Sequence, residues 1–159
     1  MINSQDLSNA FARNVGIIKM QTDGLTDEDC MRQLPHGNCP NWVLGHIASK
    51  RDGVLETLGE PPLMGSYGVR YKRGSLPVTQ ADEGTMTKEE LLTWLDRSQE
   101  RIATALSKMD EAALAREYGS DDQKTTVGQQ MFFHYFHETY HVGQTELFRQ
   151  LAGKDDKII

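Results

Sequence analysis

The stretch FHYFHETYHVGQ, residues 133–144, holds three of the chain's five histidines, His134, His137 and His141. Imidazole binds divalent ions when neutral and carries protons near neutral pH. On a helix turning about 100° per residue, His137 and His141 project on one side, about 40° apart. His134 lies near that stripe, as do Gln130 and Gln144. Two histidines four apart let one helix offer two nitrogens to one ion. The string HETYH also fits the HExxH pattern literally, with Glu138 in the position of a general base. Proteases of that pattern set the helix beside a β-sheet, and no sheet is readable in this sequence. Glu138 is therefore expected at the pocket edge, in solvent or at a dimer face.

A catalytic metal site takes three protein ligands and keeps one position open. The best third candidate is His46, in NWVLGHIAS, on the inward face of another helix. Gly45 beside it allows a close helix approach. His36 sits in the loop-like LPHGNCP and is expected off the site. Three neutral imidazoles suit zinc, nickel or a related ion. They leave the ion its full charge, which acidifies a bound water or thiol. The competing reading makes the same histidines core or pocket residues with ordinary hydrogen-bond partners.

Four long helices must position these groups. Leu7, Phe11, Val15 and Ile18 recur at helical spacing over 4–22. Thr26 and Asp29 have the spacing of a capping box before a short turn at 26–33. Pro40 opens a second helix over 40–58, whose inward face carries Trp42, Val43, His46, Ile47, Val54 and Leu58. Thr87 with Glu90 caps a third helix over 88–108, and a short turn follows at 110–117. Thr126 with Gln129 caps the fourth, over 127–152, which Gly153 ends. Between the second and third helices runs a long connection, 59–86, with a basic segment at Arg70, Tyr71, Lys72 and Arg73. A loop of that length is a functional lid or a solvated crossover. The pattern predicts an all-α chain: one four-helix-bundle domain over 1–159, with a long crossover between helices 2 and 3.

A chain of 159 residues buries roughly two thirds of its unfolded surface and folds without a structural metal. Its net charge is −6 and its pI about 5.3. That balance argues against nucleic acid and against anionic membranes. No apolar run approaches the roughly 20 residues of a membrane span. The start, MINSQDLSNAFARN, lacks the pattern of a signal peptide. Cys30 and Cys39 form no CxxC motif, so a reduced, cytoplasmic setting is expected. Cys39 precedes a helix, as a nucleophile could, but a small half-buried residue is the plainer expectation.

Two blocks resemble a known family. NWVLGHIASKRDGVLETLGE (41–60) is similar to the Trp-x-x-Gly-His block of the DinB-like superfamily. FHETYHVGQTELFRQLAGK (136–154) is similar to its His-x-x-x-His-x-x-Gln block. The resemblance covers essentially the whole chain. It implies a metal-binding four-helix bundle with His46, His137 and His141 as ligands, the same triad that the helix pattern favours. It implies Gln144 behind the ligands and leaves His134 outside the ligand set, as a neighbour that lines the pocket or packs; Trp42 and Glu138 are further candidates for the pocket or for support of the ligands. It also implies a zinc or nickel ion, a homodimer and a small-molecule substrate. The activity so implied is hydrolysis, or S-transfer from a low-molecular-weight thiol. The basic segment Arg70–Arg73, read from this sequence, is available to an anionic thiol or substrate at the pocket mouth. The alternative is a non-catalytic, stress-associated metal-binding dimer or interaction module.

Overall fold

In a computed structural model, the structure describes residues 3–34, 37–156 and 158. Four long helices dominate it: α1 (Ser4–Thr22), α3 (Pro40–Thr57), α4 (Lys88–Leu106) and α6 (Val127–Leu151). Two short helices, α2 (Asp27–Cys30) and α5 (Glu111–Ala115), join them. The all-α bundle predicted from the pattern is the observed fold. Its boundaries follow local chemistry. Capping boxes close on Thr26 with Asp29, Thr87 with Glu90 and Thr126 with Gln129, each satisfying free N–H groups of a first turn. Asn3 with Asp6 does the same for α1.

The long crossover has a geometric cause. Asn41 donates to the Met86 carbonyl, Arg51 to that of Leu95, and Arg101 pairs with Glu60. α3 and α4 therefore run parallel, and the chain must return along the bundle to begin α4. The return is packed in part and solvated over the rest, including 79–84. Residues Gly65–Tyr71 form a 3-10 helix packed on α3, and Met64, Tyr71 and Val78 are buried. His46 faces His141 while Thr57 meets His134, so α3 and α6 are antiparallel.

α3 packs on α4, α6 and the 3-10 helix, and Leu44, Ile47, Ala48, Val54 and Leu55 are all buried. A helix covered on several sides is apolar over most of its circumference. One small element departs from expectation: β1 (Glu117–Tyr118) pairs antiparallel with β2 (Thr125–Thr126). Two residues per strand are too few to show an alternating pattern.

At the bundle axis sits a charged residue. Arg51 is fully buried and donates to the Phe11 carbonyl on α1 at 3.1 Å and to Ser98 on α4 at 3.3 Å. It also grips both oxygens of Glu138 on α6, at 2.8 and 2.7 Å. One guanidinium on α3 thus ties all four long helices together, using the planar fork that lysine lacks.

Candidate metal centre

The antiparallel pairing of α3 and α6 brings His46, His137 and His141 together, with ligand-capable atoms all within 4.8 Å of one another. Ring centroids lie 5.5 Å apart for His46–His137, 4.9 Å for His46–His141 and 4.7 Å for His137–His141. Ligands of a tetrahedral zinc sit about 3.4 Å apart, given Zn–N bonds of about 2.0–2.1 Å. Small side-chain rotations cover the difference.

Two of the rings are oriented from behind. His46 Nδ1 lies 2.7 Å from the Tyr71 carbonyl, so it carries the proton and leaves Nε2 as the lone-pair donor. His141 Nδ1 stands 2.7 Å from Gln144 Oε1, which fixes the same tautomer if the amide oxygen accepts. Trp42 stacks on His46 at 4.7 Å and 9°, and its indole N–H donates to Ser75. Burial pushes the His46 pKa down to about 4, against the Tyr71 hydrogen bond. Burial also lowers those of His137 and His141. All three are therefore neutral at pH 7, the form that binds metal. The donor set fits a borderline divalent ion. Among the described residues, no further His, Cys, Asp or Glu joins this group.

The histidines face a cavity of about 440 Å³, walled by Asn38, Trp42, Arg73, Tyr140 and Gln144. His134 is elsewhere. It contacts Thr57 at 3.1 Å and Gln130 at 3.2 Å, and it lines a neighbouring cavity. His36 lies outside the described residues.

Three expectations need correction. Glu138 is neither at the pocket edge nor solvated: it is 4 % exposed, paired with Arg51 and bonded to Asn14 at 3.2 Å. About 100° per residue carries it round α6, away from His137 and toward the bundle axis. Gly45 admits the Tyr71 ring of the 3-10 helix, not another long helix, since a Cβ there would overlap that ring. The basic run divides. Tyr71 is buried, and Arg70 pairs with Asp82 at 3.0 Å while donating to the Leu76 and Pro77 carbonyls. Only Lys72 and Arg73 reach the cavities.

Sequence reasoning missed Arg51. Its signal was present: it follows Ile47 by four residues on the inward stripe, where a charge needs a buried partner. Cys39 is fully buried against the Val78 carbonyl, and burial raises its pKa, the opposite of an activated thiol.

Fold and site together define a four-helix bundle with a three-histidine centre between two antiparallel helices. The chain belongs to the DinB superfamily, whose family model matches residues 19–145. The crystal structure of a conserved protein from Enterococcus faecalis is similar over 97 % of this chain and 99 % of that one, with a TM-score of 0.76. Identity to it is 20 %, so this likeness speaks for the fold alone. No curated protein matches the sequence. No helix of the described residues is long and apolar enough to cross a membrane.

Proposed function

We propose that this chain holds one divalent ion, zinc or nickel, on His46, His137 and His141. It uses the ion to activate a small thiol or a water toward a small electrophilic substrate, by S-transfer or hydrolysis. The observation that carries the reading is the convergence of three neutral imidazoles, two of them already turned by Tyr71 and Gln144. Such an ion acidifies whatever water or thiol joins it, with a water pKa of about 7 in the zinc case.

The residues of the chain do the rest. Tyr71 and Gln144 hold the rings in one tautomer. Trp42 covers His46 from water on one side. The cavity admits a small molecule beside the histidines. An open position favours catalysis over a closed binding site. The protein groups that could have closed it, His134 and Glu138, are engaged elsewhere.

A homodimer and a cytoplasmic setting belong to the same reading. Phe133, Phe136, Tyr140 and Leu147 are half or more exposed along one side of α6, a stripe that a second copy would cover. Cys30 and Cys39 are both free and buried, as suits a reducing compartment.

The test is metal analysis of untagged protein, wild type beside His46→Ala and His141→Ala. One equivalent of a divalent ion in wild type, lost in both variants while the helical signal persists, is the expected result. Wild type that takes up neither zinc nor nickel overturns the reading. His36→Ala is expected to leave metal content unchanged.

A further inference from the structure

A second cavity, of about 520 Å³, lies between α3 and the crossover, with His134 as its lining residue from α6. His134 and Gly53 mark it, just as His141 and His46 mark the first. On α3, His46, Lys50 and Gly53 follow at helical spacing, so Lys50 stands on the stripe between the two cavities. Arg73 lines both. The two cavities therefore meet at Arg73, and Lys50 and Lys72 line the second one beside it.

Those cations have no partner. Among the described residues, no carboxylate lies within ion-pair distance of Lys50, Lys72 or Arg73. Two carboxylates also line the second cavity, Asp52 and Glu56. Asp52 is occupied: its oxygens accept from the backbone N–H groups of Leu63, Met64 and Gly65, at 2.7–3.1 Å. Asp52 keeps its charge but its oxygens are turned to those amides, so the cavity sets three cations against two carboxylates, of which Glu56 is exposed.

We infer that this junction is an anion subsite. Lys50 and Arg73, with Lys72 in the same cavity, bind the carboxylate or other anionic group of an elongated small molecule whose reactive end reaches the three histidines. The inference rests on the metal reading and narrows its substrate class. It selects between ligands by charge at the end remote from the reacting atom. Arg73 can grip a carboxylate with two N–H groups, and Lys50 supplies a point charge.

The experiment uses cobalt-loaded protein and two thiol probes, mercaptohexanoate and mercaptohexanol. The long tether keeps the carboxylate from closing back onto the ion. Cobalt d–d bands report the centre, and thiolate-to-cobalt charge transfer reports probe binding. Wild type is expected to bind the acid roughly tenfold more tightly than the alcohol, as for a charge-assisted hydrogen bond. The double variant Lys50→Gln/Arg73→Gln is expected to bring that ratio near one, through loss of acid binding. Both positions are exposed, so circular dichroism should show an intact bundle. Equal binding of the two probes by wild type, or a preference that survives in the double variant, overturns the subsite while the centre stands. Absent cobalt bands overturn the centre itself, and the subsite with it.

Discussion

Gly45 makes room for Tyr71, and Tyr71 in turn holds His46. The aromatic ring lies where a Cβ on residue 45 would be, and the carbonyl of the same tyrosine accepts from His46 Nδ1 at 2.7 Å. The crossover is therefore coupled to the metal centre through one residue. Gly45→Ala should displace the ring and turn His46 away. Loss of such an outer contact lowers metal affinity about 10–100-fold. Overpacking costs about 1–3 kcal/mol. Metal competition titration and thermal melts read the two effects separately. An alanine variant with unchanged affinity would break the link between crossover and centre.

Glu138 is expected to behave as a structural residue. Glu138→Ala leaves Arg51 buried without its counter-charge, which costs about 3–5 kcal/mol. Chemical denaturation should show the whole protein unfolding at lower denaturant, with the slope unchanged. A variant of wild-type stability with lost activity would restore the HExxH reading and a catalytic role for Glu138.

Acid should weaken the metal-free protein. His46 and His134 have pKa values near 6.5 when unfolded and about 4 when folded, because burial disfavours the charged ring. Between those values the unfolded chain binds more protons, so stability rises with pH there. It is complete above about 6.5 and is lost as pH falls toward about 4. Urea midpoints measured from pH 7 down to pH 4 test this window. His134→Gln should flatten the slope, and an unchanged slope would remove His134 as a contributor.

The cysteines should resist alkylation. Burial pushes the Cys30 thiol up to about 12 and raises that of Cys39 from its usual value of 9.0. Brief iodoacetamide treatment at pH 8, read by mass, should leave both unmodified in the native state. Both should react in denaturant. Rapid native labelling of Cys39 would revive it as a nucleophile. The Cys30 shift also carries a stability consequence. Above about 9 the unfolded thiol ionises while the native one keeps its proton, so stability declines with rising pH.

Helix limits and the histidine pair were legible because both depend on neighbours in the chain. Capping boxes act across three residues, and His137 and His141 share a face whatever packs against it. His46 was reachable because an inward stripe shows in the period of α3. The long crossover followed from the spacing of Gly and Pro after α3. The direction Glu138 faces, the fourfold reach of Arg51, the Tyr71–His46 bond and the meeting of two cavities at Arg73 were decided only by tertiary structure. Each joins residues far apart in sequence, such as Arg51 and Glu138, whose contact depends on which helices become neighbours and in which direction they run. Local periodicity tells which side of a helix is buried. It does not tell what waits on the other side, and there the charge of Glu138 meets Arg51 instead of the metal site.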